Sequence, residues 1–178
     1  MHIAVSGYSG CGNTTLSSLI AKKFDLKLVN YTFRDMAKDK GLDFEALRAL
    51  AEKDSSYDIE LDKKQVEMAL STKNSILASR LAIWMLKSAD LKVFLDISLL
   101  ERSRRVCQRE GGTFEYWYEH TQKRDDADNL RYKKLYNIDN RDLKTNIGGN
   151  LLIIKDDKAT ASDMLDIITA EIKKRRLI

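Results

Sequence analysis

The sequence predicts an α/β fold in which a parallel sheet is covered by helices on both faces. Three observations predict it. A short apolar strand at the start of the chain runs directly into a glycine-rich loop and an amphipathic helix. Further short apolar runs alternate with helical segments along the chain, the pattern of strands joined by helical crossovers. The 178 residues, 43% hydrophobic and 33% charged, have globular composition and enough length for one buried core without disulfides.

His2-Ile3-Ala4-Val5-Ser6 reads as the first strand. After the loop from Gly7 to Thr15, Leu16, Leu19, Ile20 and Phe24 share one face of a helix over Thr14 to Phe24, and Leu26 to Val29 reads as the second strand. From Tyr31 to Thr72 the pattern stays helical in three pieces. Phe33, Met36 and Ala37 mark the first, Phe44, Leu47, Leu50 and Ala51 the second, and Ile59, Leu61, Val66, Ala69 and Leu70 the third, with breaks at Gly41 and Asp54-Ser55-Ser56. A helical insertion therefore separates the second strand from the third. Ser75 to Ala78 and Leu91 to Asp96 read as buried parallel strands with a helix from Arg80 to Leu86 between them. Ser98 to Glu110 returns to helix, Gly111-Gly112 ends it, and Phe114 to Leu135 is a long, charge-rich helical stretch. Asn150 to Ile154 is the last strand, and Thr160 to Arg175 an amphipathic closing helix. Ligands of such a sheet sit at the carboxyl ends of its strands.

Composition narrows the class. No run approaches the roughly 20 apolar residues of a membrane span, and Met1 leads into the first strand without a basic-then-apolar leader, so a cytoplasmic protein with no membrane partner is expected. The net charge of +4 is mild, and Asp125, Asp126 and Asp128 lie among the arginines between Arg102 and Arg141, which argues against nucleic acid as a partner. Lys173-Lys174-Arg175-Arg176 ends a helix and complements its dipole. Cys11 is expected as a loop residue and Cys107 as a helix-core residue, with no disulfide between them.

Gly7-Tyr8-Ser9-Gly10-Cys11-Gly12-Asn13-Thr14-Thr15 carries the G-x-x-x-x-G-K-[ST] frame of a mononucleotide phosphate loop, with Asn13 where lysine belongs. Gly7, Gly10 and Gly12 leave backbone N–H groups free to wrap phosphate oxygens while a helix starts beneath them. A lysine at position 13 would add charge as the transferring phosphoryl group develops it, and the neutral amide of Asn13 supplies none. Lys22 and Lys23 lie too far along the helix to substitute. A second constellation follows Gly112. Arg124, Asp128 and Arg131, spaced four and three apart, share one helix face, and Arg102, Arg105 and Arg109 share a face of the preceding helix. Guanidiniums grouped in this way suit bidentate binding of phosphate.

With these residues in place the chain resembles the cytidylate kinases, in particular the short archaeal-type form within the nucleoside monophosphate kinase group. The resemblance spans nearly the whole length. It is carried by the loop at Gly7 to Thr15, Phe33-Arg34, Ser79-Arg80-Leu81-Ala82-x-Trp84-Met85 and Leu95-Asp96. Arg102-x-x-Arg105, Arg109-Glu110-Gly111, Arg124-Asp125-x-x-Asp128-x-x-Arg131-Tyr132 and Tyr136-x-Ile138-Asp139 complete it. It implies a P-loop nucleoside monophosphate kinase fold, a single domain over residues 1–178 with a five-stranded parallel sheet. A monophosphate-binding insert would lie at about 31–72 and a mobile lid at about 110–131. It further implies ATP and Mg²⁺, with CMP or dCMP as acceptor and a monomer as the working unit. Gly7, Gly10, Cys11, Gly12, Asn13, Thr14 and Thr15 would surround the triphosphate, with Thr14 on Mg²⁺. Arg34, Arg80, Asp128 and Arg131 would hold the monophosphate, and Arg105, Arg109 and Arg124 would close on the transferring group as catalytic residues.

Three departures accompany the match, one of them at the acceptor end, where Asn30-Tyr31-Thr32 stands in place of the family's small Ser-Gly type turn. Asn13 replaces the loop lysine, and Leu77-Ala78-Ser79-Arg80 ends the third strand where the family usually has an acidic residue before glycine and arginine, so Ala78 removes a carboxylate that would order Mg²⁺ through water. Asp96 either joins the metal shell or caps the following helix. The expected activity is phosphoryl transfer weakened at Asn13 and Ala78. The alternative left open is a nucleotide-binding homologue with little or no transfer, acting as a sensor or interaction protein.

Overall fold

A computed structural model describes residues 1–144 and 147–178 of the chain. Its strands are β1 (His2–Gly7), β2 (Lys27–Val29), β3 (Ser75–Ala78), β4 (Leu91–Leu95) and β5 (Leu151–Ile154), all parallel and in the order β2-β3-β1-β4-β5. β1 is central: Ile3 lies opposite Ile76 of β3 on one side and Leu91 of β4 on the other. A strand paired on both edges and covered on both faces gives polar side chains no outlet, which accounts for the run Ile3-Ala4-Val5. Ser6 is buried in the same strand because both its roles are filled. Its hydroxyl donates to the Ser79 carbonyl at 3.0 Å and accepts from the Ile83 N–H at 3.1 Å.

Alternation along β1 divides the core. Ile3 and Val5 face α1 (Asn13–Phe24) and α8 (Ala161–Lys174), where Leu16, Ile20, Ile168 and Ile172 are buried. Ala4 faces the other layer, with Leu77, Phe94, Trp84 of α5 (Ala82–Met85) and Ala69 of α4 (Ser56–Leu70). Each large aliphatic or aromatic side chain so buried contributes about 1.5–3 kcal/mol.

The predicted insertion is α2 (Phe33–Asp39), α3 (Phe44–Lys53) and α4, with a small core of its own built on Met36, Ala37 and Leu47. Thr32 and Asp35 form a capping box at the start of α2, and Asp43 accepts from the Glu45 and Ala46 N–H groups at the start of α3. The helix expected over Arg80 to Leu86 is only the single turn of α5, because the Ala82 N–H returns to the Ser79 carbonyl and the Ile83 N–H is taken by Ser6. α6 (Leu99–Glu110) and α7 (Phe114–Tyr136) pack together, joined through Gly111 and Gly112. The cap of α6 is Ser98, which accepts from the Glu101 N–H; Asp96 instead pairs with Lys155 at 3.3 Å, so its expected capping role is not the one it has. Both cysteines are free; Cys11 is buried in the core, and Cys107 is half-buried with its thiol against the Gly112 carbonyl. Among the described residues no helix is long and apolar enough to cross a membrane.

Candidate functional site

β1 delivers the chain to the loop at the carboxyl edge of the sheet. Gly10 and Gly12 have φ of +82° and +93°, a region side chains rarely adopt, and a Cβ on Gly10 would also lie 2.9 Å from Val106 of α6. Gly12 is the N-cap of α1 and supplies no side-chain acceptor, and the first turn has no acidic residue. Thr32, Asp43, Ser98, Thr113 and Thr160 close α2, α3, α6, α7 and α8 with side-chain oxygens. The α1 N-terminus therefore keeps its N–H groups and the positive end of its dipole for an anion. Thr14 and Thr15 stand exposed there. Cys11 closes the loop from within: its N–H donates to the Tyr8 carbonyl at 3.2 Å and its side chain is buried, which pushes the thiol up to about 11.

Asn13, at the lysine position, turns inward. Its Nδ2 donates to the Val5 carbonyl at 3.0 Å, and its Oδ1 accepts from the fully buried Ser17 hydroxyl at 3.0 Å. The side chain thus braces the loop against the end of β1 instead of reaching over its rim.

The arginines of α6 share a face but separate in role. Arg102 is buried under the loop, donating to the Ser9 carbonyl at 2.8 Å and the Ile97 carbonyl at 2.9 Å, pairing with Asp125 of α7 at 2.7 Å, and lying over the Tyr8 ring. Burial raises the Asp125 pKa in spite of that partner. Arg105 donates to the Cys11 carbonyl at 3.4 Å and the Asp157 carbonyl at 3.1 Å, bordering the loop rim. Arg109 is exposed and pairs with Glu110 at 2.7 Å. Beside Arg105 a cavity of about 640 Å³ opens between the loop, α6 and the start of α8, lined by Gly12, Thr15, Gln108, Lys158 and Thr160 among others. Its volume suits a nucleoside-sized group.

The second cluster joins β3, α7 and α4. Asp128 of α7 accepts from Arg80, just past β3, and from Arg131 at 3.0 Å. Arg131 also pairs with Asp58 of α4 at 3.5 Å. Burial raises the Asp58 pKa against that attraction, whereas Arg131, though burial opposes its charge, is raised by Asp58, Tyr132 and Asp128. Arg124 stands near enough to Arg80 for like charge to add to burial in lowering its pKa, with Asp128 opposing. Arg34 does not join this group; its guanidinium stacks on Phe44 at 4.2 Å within the insertion.

Asp58 and Asp62 escaped the sequence reading, as did the cavity wall over residues 157–161. The available signal was the i,i+4 spacing of two carboxylates beside the apolar Ile59, Leu61 and Val66 of one helix. The Asp62 carboxylate accepts from the Tyr136 hydroxyl at 2.7 Å.

The chain is 39% identical over 180 residues to "Cytidylate kinase 2" of Borrelia garinii subsp. bavariensis, covering 99% of both chains. It is 42% identical over 143 residues to a cytidylate kinase of Pyrococcus horikoshii, covering 79% of this chain and 74% of that one. Deoxyadenosine kinase from M. mycoides with bound dATP superposes with a TM-score of 0.60 at 16% identity, over 97% of this chain and all of that one, which shows a shared fold. The cytidylate kinase-like family profile matches residues 2–145, from the central strand through the phosphate loop, the insertion and the arginine-rich helix pair, and on that match the chain belongs to the cytidylate kinase-like family.

Proposed function

We propose that the protein transfers the γ-phosphoryl group of ATP to CMP or dCMP, giving ADP and the nucleoside diphosphate. The observation that carries this reading is the placement of two anion-binding features at the carboxyl ends of adjacent strands. The open N-terminus of α1 follows β1, and the Arg80–Asp128–Arg131 cluster follows β3. Backbone N–H groups of the Gly7 to Thr15 loop, apart from that of Cys11, which the Tyr8 carbonyl takes, hold the triphosphate, and the cavity beside Arg105 takes its nucleoside. Arg80 and Arg131 hold the acceptor phosphate, with Arg34 swinging in from the insertion. An acceptor phosphate oxygen attacks the γ-phosphorus in line, the bond to the β-phosphate oxygen breaks, and Arg105, Arg109 and Arg124 offset the charge that spreads over the transferring group. Closure of residues 110–131 excludes water, so phosphate passes to the monophosphate.

The donor set suits Mg²⁺. The exposed Thr14 hydroxyl stands at the first turn of α1, and among the described residues no group of three or more His, Cys, Asp or Glu could hold a metal alone. An ion that takes one hydroxyl and completes its shell with phosphate oxygens and water fits such a site. When bound, it neutralises charge on the β- and γ-phosphates.

A coupled assay with ATP, Mg²⁺ and each of CMP, dCMP, UMP and AMP tests the proposal. Turnover of CMP and dCMP above the others is expected. Calorimetric binding of CMP without any turnover would refute transfer and leave a nucleotide-binding protein that does no chemistry.

A further inference from the structure

The monophosphate end of the site holds more carboxylate than an anion pocket needs. Asp58 and Asp128 are answered by Arg131 and Arg80, but the Asp62 carboxylate is bonded to a neutral phenol, the Tyr136 hydroxyl at 2.7 Å. A carboxylate in a half-buried place costs desolvation unless donors meet it, and one phenol fills only part of its capacity. Asp62 lies one helical turn after Asp58 and one before Val66, on one face of α4. Val66, one turn further along α4, and Tyr136 are half-buried against the same core layer, so apolar side-chain surface flanks that carboxylate. Because the Tyr136 proton is committed to Asp62, the lone pairs left here, on Asp62 and on the Tyr136 oxygen, only accept hydrogen bonds.

We infer that Asp62 and Tyr136 read the base of the acceptor nucleotide, accepting hydrogen bonds from the exocyclic amine of cytosine and rejecting the carbonyl that uracil presents at the same position. The inference rests on the proposed monophosphate site. Uracil would bring its C4 carbonyl against these acceptors, and its single N3–H could answer only one of them, leaving the carbonyl and the second acceptor unpaired, the situation in which sites built around hydrogen bonds discriminate best.

Protonation gives a second handle. The titratable and charged groups facing Asp62 are Asp58 on its own helix and Tyr136 and Arg131 on α7. Burial, with Asp58 adding to it and the Tyr136 hydrogen bond and Arg131 opposing, pushes Asp62 up to about 6. Once protonated, Asp62 can donate to the uracil carbonyl, so preference for cytosine relaxes as pH falls through 6. The acceptor phosphates of CMP and UMP titrate alike, and their effect cancels in the ratio.

The test is the ratio of kcat/KM for CMP to that for UMP, measured on the full chain as wild type, Asp62→Asn and Tyr136→Phe at pH 7.5 and pH 5.5. Wild type should favour CMP at pH 7.5 and lose about tenfold or more of that ratio at pH 5.5. Asp62→Asn, whose amide can donate to uracil, should lower the ratio by roughly 30-fold at pH 7.5 and remove its pH dependence. Tyr136→Phe should lower it several-fold with the fold intact, which decides the matter if the asparagine variant folds poorly. A structural role alone would reduce both substrates by one factor and leave the ratio unchanged; that result would overturn the inference while wild-type CMP turnover still supported the site. If wild type turns over neither nucleotide, the same ratio is read from calorimetric Kd values for CMP and UMP, and binding of neither would refute the monophosphate site and this reading together.

Discussion

Asn13→Ala separates the bracing role of this side chain from the charge that a lysine would bring. Two bonds disappear. The Ser17 hydroxyl, 0% exposed, loses its acceptor, which costs about 1–3 kcal/mol for a buried group left unsatisfied. The Val5 carbonyl loses the Asn13 amide but keeps the Ser79 N–H at 3.3 Å, so the net loss there is about 0.5–1.5 kcal/mol. Ser17 can also turn to the backbone carbonyl one helical turn before it, which draws the expected sum toward about 2 kcal/mol. Urea unfolding with an unchanged m-value measures it. Ser17→Ala completes a double-mutant cycle, and the double variant should be more stable than the two single losses predict by about 1 kcal/mol. Destabilisation below about 0.5 kcal/mol, or strict additivity, would refute the brace. Asn13→Lys supplies the kinetic arm: it loses the same bonds, yet kcat should rise more than tenfold if a missing donor normally worth 10²- to 10³-fold, as a rough estimate, limits transfer. Wild-type turnover within about tenfold of the lysine variant would show that Asn13 is not catalytically costly.

Arg102→Ala leaves Asp125 buried without its counter-charge and should cost about 3–5 kcal/mol, a fall in Tm of roughly 6–20 °C; a loss under about 1 kcal/mol would show that the pair does not hold α7 to the loop. Arg80→Ala and Arg131→Ala should each lower kcat/KM for CMP by about 10²-fold while calorimetric ATP affinity stays within about twofold, and equal loss of both affinities would contradict a separate monophosphate site. Asp62 rises from 3.8 in the unfolded chain to about 6 in the folded protein, so the folded state binds more protons between these values. Its contribution is complete below pH 4 and is lost as pH rises through 6, about 3 kcal/mol in all. Unfolding free energies at pH 4.5 and 7 should therefore differ less in Asp62→Asn than in wild type, and identical differences would refute the burial of that carboxylate.

The strands, the insertion and the long helices were legible because each has a local signature. The apolar period places β1, β3 and β4, and the breaks at Gly41 and Gly111-Gly112 separate the helices. α5 was over-read because its shortening depends on Ser6, a residue distant in sequence, taking a helical N–H. The grouping of Arg102, Arg105 and Arg109 was read from helical spacing, which says which side chains share a face and nothing of what that face meets. The first meets the loop and α7, the second the loop rim, and the third solvent. Asp58 and Asp62 had the spacing of an ordinary solvated pair, and only the approach of α7 buries them beside Arg131 and Tyr136.

By itself the sequence determined the alternation of strands and helices, the phosphate loop, its altered lysine position and the arginine-rich helix pair. Periodicity and glycine placement are properties of neighbouring residues, so these needed no knowledge of the packed chain. Tertiary structure decided what the altered position does: Asn13 finds the Val5 carbonyl behind it, a contact that exists only once α1 folds back onto β1, and its remaining oxygen meets the Ser17 hydroxyl one turn along the same helix. It also decided which carboxylates are buried. Desolvation depends on every element that closes over a group, and no local pattern in a chain encodes that sum.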